Sequence, residues 1–134
     1  MSDKKISATA SESGSSLYSV EIETNGHKLI GDEPEDFGSK NLGPAPYDLL
    51  IAALAECSVM TIRWLALQQK LPLEKASVIV THEKRGRQDF FTKKITLQGA
   101  DLSAEQKQKL YNAAAKCPIH RTLTSQNNII ETEF

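Results

Sequence analysis

Two cysteines stand sixty residues apart in this 134-residue chain, Cys57 in "LLIAALAECSVM" and Cys117 in "NAAAKCPIHRTL". A thiol in each setting has three chemical uses. It can fill core space as a small apolar group, since free cysteine is among the most buried residue types. It can ligate zinc, although Cys57, Cys117 and His120 give only three ligands from two elements, without the clustered spacing that zinc sites favour. It can also form half of a redox pair, in which one thiolate attacks an electrophilic oxygen or sulfur and the other thiol resolves the sulfenic acid as a disulfide. The last use requires a cation or helix N-terminus to depress a thiol pKa. It also requires the two Cα atoms to come within about 4.4–6.8 Å. The residue pattern alone leaves all three open.

The elements that must position these thiols are legible in outline. Residues 1–15 are Ser-rich and polar and read as a flexible N-terminus, leaving 16–134 as a single domain. "YSVEIET" alternates as a strand does, and Asn25-Gly26 offers a hairpin turn into "HKLIGDEP". Residues 31–46, rich in Gly and Pro, read as a long loop. "PYDLLIAALAECSVMTIRWLALQQK" then reads as a helix of about 24 residues, with Leu50, Ala53, Leu54, Cys57, Thr61, Trp64 and Leu65 as its apolar stripe. Pro46 suits its first turn and Asp48 its positive end. "ASVIVTHEKR" and "FFTKKITLQG" read as paired strands, the second with Phe91, Lys93, Ile95 and Leu97 on one face. "DLSAEQKQKLYNAAAKC" reads as a second helix capped by Ser103 and broken at Pro118. "NNIIETEF" reads as a closing strand. Strands in adjacent pairs suit antiparallel sheet, so the predicted class is α+β: antiparallel sheets around a long central helix plus a second helix. A homodimer would cover the helix surface that one chain leaves over.

The totals exclude several functions. Sixteen Lys and Arg balance seventeen Asp and Glu, with no long run of like charge, so the sequence gives no sign of a nucleic-acid or anionic-membrane partner. The first twenty residues lack the apolar region of a signal peptide, and the longest apolar run falls short of the ~20 residues that span a bilayer. These features predict a cytoplasmic protein in a reducing compartment, where a structural disulfide is disfavoured.

Taken together, "GPAPYDLLIAALAEC" and "KCPIHRTL" resemble the OsmC/Ohr family, the osmotically inducible and organic hydroperoxide resistance proteins. The first signature comprises Gly43, Pro44, Pro46, the Leu/Ala-rich helix and Cys57. The second comprises Lys116, Cys117, Pro118 and the residues after them. The likeness spans about residues 16–134. It implies an α+β, intertwined homodimer with active sites at the subunit interface. It further implies hydroperoxide reduction without metal, haem or other cofactor, with Cys57 as peroxidatic thiolate, Cys117 as resolving thiol, and a lipoyl group or small thiol as reductant. A non-peroxidase relative that binds or senses a small apolar or thiol-containing molecule is the alternative.

In the hydroperoxide-reducing branches an arginine from the amino-terminal sheet stabilises the thiolate, held by a glutamate just after the helix-opening proline. Here the first arginine is Arg63, and Tyr47 follows Pro46, with Asp48 the nearest acid. Lys40, His120 and Arg121 are the candidate replacements, alongside His27 and Lys28, while Tyr47 and Asp48 are candidate pocket residues. Each has a plainer use: Lys40 as solvated charge, Asp48 as a helix-start acid, and His120 and Arg121 as caps on the second helix.

Overall fold

The structure is a computed structural model that describes residues 4–134. The described residues form five strands and three α-helices: β1 (Ala8–Glu12), β2 (Val20–Thr24), β3 (His27–Gly31), α1 (Pro46–Gln68), β4 (Lys75–Arg85), β5 (Gln88–Gln98), α2 (Ala104–Ala114) and α3 (Pro118–Thr124). The class is α+β with antiparallel pairing throughout. The chain separates into two compact units, residues 1–50 and 51–134.

The first unit is a three-stranded sheet in the order β1-β2-β3. Asn25 and Gly26 both have positive φ, 50° and 77°, as a two-residue primed hairpin turn requires. β1 falls within the segment whose composition predicts fraying: Ala8 to Glu12 pair with Thr24 to Val20. Their side chains are exposed, so backbone pairing at the edge of β2 holds this strand, and polar composition does not report it.

Beyond β3 the loop is organised around a buried carboxylate. Asp32 accepts from the N–H groups of Glu33 (2.8 Å) and Leu42 (3.1 Å) and from the Ser39 hydroxyl, which is also bonded to Ser16. Burial alone would raise the Asp32 pKa, but these donors outweigh it and hold the group at about 2. Gly43 is required by closeness: a Cβ there would meet the Ile30 carbonyl.

The second unit packs most of α1, with α2 and α3, with the β4–β5 ribbon. Inward residues alternate along β5 from Phe91, with Lys93, Ile95 and Leu97 each half-buried between exposed neighbours. The main cluster joins Ile62, Ala66, Leu73, Leu102, Leu110 and Ala114, with Ile62 and Leu110 fully buried. A second cluster joins Leu54, Val80 and Cys117. The buried side of α1 therefore runs Leu54, Ser58, Ile62, Ala66, at four-residue steps. Trp64, expected in the core stripe, is instead 59% exposed. Arg63 ties the helix to the following segment by donating to the Leu73 and Glu74 carbonyls at 3.0 and 3.1 Å.

At 23 residues, α1 is also long and apolar enough to cross a membrane by length and composition, which its interrupted apolar run does not suggest. One stripe of it packs inward, with Ile62 and Ala66 covered by Leu73, Leu102 and Leu110, while 22% of its apolar window is buried.

Two carboxyl-terminal expectations are corrected. The second helix ends at Ala114, and Cys117 is the N-cap of a third, α3, with Pro118 in its first turn. Proline lacks the N–H that a first turn leaves unpaired anyway, so Pro118 opens a helix as readily as it ends one. Residues 127–134 form no strand: Asn127 and Asn128 bond back to Ser125 and Thr122, and Ile129 and Ile130 are exposed.

Candidate active site

α1 and α3 bring the two thiols into one cluster, where they interact electrostatically, and both are free. Their environments differ. Cys117 is completely buried, whereas Cys57 is half-buried and lines an apolar hollow of about 560 Å³ with Met60, Thr61, Trp64, Pro118 and Ile119. Glu56 stands at the same hollow, and no cation lines it.

The Cys117 sulfur is surrounded by donors. The His120 backbone N–H donates to it at 3.3 Å, which is the N-cap geometry of α3, and the Ser58 hydroxyl lies 3.8 Å away. Lys93, reaching in from β5, interacts with it electrostatically. Burial pushes the Cys117 thiol up, but the His120 N–H, the Cys57 thiol, Ser58 and the Lys93 ammonium together outweigh it, and its pKa is lowered. Cys57 shifts the other way. Burial raises it first; the Ile119 N–H and Thr61 oppose this, and the neighbouring Cys117 sulfur adds to it. The two thiols thus shift in opposite directions, Cys117 down and Cys57 up.

Lys93 is itself fixed in place. Its Nζ donates to the Ala114 carbonyl at 2.6 Å, capping the end of α2, and lies 2.8 Å from His120 Nδ1. Burial lowers the Lys93 pKa, and interaction with both cysteines partly restores it. Burial and the adjacent ammonium lower His120, which favours a neutral ring whose Nδ1 accepts. Among the described residues no three His, Cys, Asp or Glu side chains converge as a metal site requires.

The sequence-named residues thus divide. Cys57, Cys117 and His120 come together. Arg121 lines a neighbouring hollow with Lys109 and Lys116, one that shares Thr61 and Trp64 with the hollow of Cys57. Lys40 donates to the Ser15 carbonyl at 3.1 Å, and Asp48 accepts from the Ala45 N–H at 2.9 Å, closing the first turn of α1. Tyr47 is exposed. Lys40, Tyr47 and Asp48 all belong to the first unit. Sequence reasoning missed Ser58 and Lys93 as site residues. The available signal was a lysine in the inward register of an otherwise apolar strand face.

The sequence matches the OsmC-like protein family over residues 38–133. This chain belongs to that family. No curated protein matches it. Solved structures share its fold at low identity. An OsmC-like protein from Mycoplasma pneumoniae has a TM-score of 0.72 and 20% identity, over 93% of this chain and 91% of that one. An organic hydroperoxide resistance protein, OsmC, from Legionella pneumophila has a TM-score of 0.68 and 21% identity, over 93% of both chains. The organic hydroperoxide resistance protein OhrB of Bacillus subtilis has a TM-score of 0.63 and 20% identity, over 92% and 93%.

Proposed function

We propose that this protein is a thiol-dependent peroxidase that reduces hydroperoxides through Cys57 and Cys117. The observation that carries the reading is the juxtaposition itself: two free thiols packed in one cluster, one of them opening on an apolar hollow. Family membership and the hydroperoxide-resistance neighbours support it. Ionised Cys57 attacks the terminal peroxide oxygen, so an S–O bond forms, the O–O bond breaks and an alkoxide departs to take a proton. Cys117 then attacks the sulfenic sulfur, an S–S bond forms, and water leaves. A dithiol or lipoyl reductant restores both thiols by exchange. No metal or other cofactor enters these steps.

The working form is a cytoplasmic homodimer. Met60, Trp64 and Leu67 expose a large apolar face of α1, and the unpaired tail with Ile129 and Ile130 offers a strand to a second copy. Sedimentation at micromolar concentration tests this, a monomer being the contrary result. The raised Cys57 pKa favours one other reading, a redox sensor whose pair oxidises without rapid turnover. Peroxide consumption with cumene hydroperoxide and dihydrolipoamide or dithiothreitol separates the two. Turnover lost in both Cys57→Ser and Cys117→Ser supports the peroxidase. Rates no higher than a protein-free control, with a disulfide still forming, support the sensor.

A further inference from the structure

Within residues 51–134 the cation that interacts with this thiol pair is Lys93, on β5. We propose that Lys93, clamped between the Ala114 carbonyl and His120 Nδ1, keeps the negative charge of the reduced pair on Cys117, and that the Cys117 thiolate is the base that takes the Cys57 proton when Cys57 attacks. The charge placement rests on the position of Lys93 and the His120 N–H at Cys117; the base step rests on the peroxidase reading.

The position of Lys93 carries the first part. Its neighbours on the inward face of β5 are Phe91, Ile95 and Leu97, so a long charged side chain turned inward here is costly unless its charge has a use. Two of its three N–H donors are spent on Ala114 and His120. These bonds fix the ammonium at the junction of α2 and α3, next to the residue that caps α3. Its electrostatic partners are the two cysteines, and both act to keep it protonated. The same sulfur that faces the Lys93 ammonium accepts from the His120 N–H and lies 3.8 Å from Ser58, whose hydroxyl donates to the Leu54 carbonyl. α1 offers Cys57 and Ser58, β5 offers Lys93, α3 offers His120, and β4 contributes Val78 and Val80. His82, next along β4, is engaged by Asp89 at 2.8 Å. Glu56, at the hollow of Cys57, carries the wrong sign to support a thiolate there.

The second part follows from the division of labour. Cys117 has the stabilised charge but no exposure, and Cys57 has the exposure but a suppressed charge. A peroxide in the apolar hollow meets Cys57. Proton transfer from Cys57 Sγ to Cys117 Sγ supplies the nucleophile at the moment of attack. Cys57–SH, Cys117–S⁻ and the hydroperoxide then become the disulfide, one water and an alkoxide, which takes a proton from solvent. The sulfurs lose two electrons and the peroxide gains two.

The test needs a readout that reaches a buried sulfur. Thiolate absorbance near the far ultraviolet edge is followed against pH for the reduced wild type, Cys57→Ser, Cys117→Ser, Lys93→Met and Lys93→Arg, each checked for folding by circular dichroism. The thiol left in Cys57→Ser is expected to titrate below the ordinary value of about 8.5, and that left in Cys117→Ser above it. Lys93→Met is expected to move the lower titration up by about one pH unit or more, and Lys93→Arg to restore most of it. The reverse order in the two serine variants overturns the charge placement, even if Lys93→Met does not fold. An unchanged titration in folded Lys93→Met removes Lys93 from it.

Single-turnover oxidation of Cys57, trapped as the sulfenic acid, tests the base step. In Cys117→Ser at neutral pH it is expected to slow about tenfold or more and to recover as pH rises. A wild-type rate would leave Cys117 as resolving thiol only. Absence of multiple turnover in the wild type, with Cys117 still the acidic thiol, would defeat the peroxidase reading and leave the charge placement standing.

Discussion

Each unit buries an acidic group, and the two solutions differ. Around Asp32 the donors are the Glu33 and Leu42 N–H groups and the Ser39 hydroxyl of its own loop, with Ser16 from between β1 and β2, and the carboxylate has a pKa of about 2. Around Cys117 the donors come from α1, β5 and α3, elements distant in sequence, and one of them is a partly desolvated ammonium. The first arrangement fixes a charge permanently and so serves as structure. The second lowers the pKa of a thiol that lies beside another thiol, and perturbed groups of this kind cluster where chemistry is done.

The sharpest way to break this contrast is at the thiols. Cys57→Ser or Cys117→Ser is expected to reduce multiple-turnover peroxide consumption to background, while thermal unfolding of either variant shifts little; equal turnover by wild type and both variants would leave the pair without a function. Next in size is the core that holds α1 against α2. Ile62→Ala, which empties a fully buried site, is expected to cost about 2–5 kcal/mol in denaturant unfolding.

The carboxylate knot comes third and carries a pH signature. The folded pKa of Asp32 lies below its ordinary value, so its contribution to stability is complete above about pH 4 and is lost as pH falls toward 2. Asp32→Asn is therefore expected to lower the melting temperature by several degrees at pH 7. The gap between variant and wild type should narrow in scans from pH 5 to pH 2; a constant gap would mean that the charge is not what matters there. The smallest effect is at α2. Ser103 accepts from the Gln106 N–H at 3.1 Å, and Gln106 returns a bond to the Ser103 N–H at 3.0 Å. Ser103→Ala is expected to cost about 0.5–2 kcal/mol without changing peroxide turnover, which checks that stability and chemistry separate in this unit.

Where local rules decide the structure, the sequence could be read directly. The start of α1 at Pro46, the Asn25-Gly26 hairpin, the β4–β5 pairing and the Ser103 cap all follow from residues within a few positions of one another. The signatures around Cys57 and Cys117 likewise marked the family. Misreadings arose where the deciding contact is remote or the local signal has two meanings. Pro118 reads equally as a stop or a start, and only the packing of Cys117 beside Leu54 and Val80 selects the start of α3. β1 carries no apolar alternation because both its faces are exposed, and it is held by its backbone alone. Trp64 fits an apolar helical stripe by spacing, yet the buried stripe is centred on Ser58 and Ile62. Lys93 looked like an interruption of a strand face, and its meaning appears only once α2 and α3 end beside it.

The most direct measurement adds one equivalent of cumene hydroperoxide to the fully reduced protein and maps the product by mass spectrometry without reductant. If remote helices do deliver two sulfurs to a single reactive centre, both thiols disappear together, two hydrogens are lost from the intact mass, and the peptides bearing Cys57 and Cys117 are recovered joined. Recovery of both peptides as free thiols, with the peroxide unconsumed, would contradict that claim.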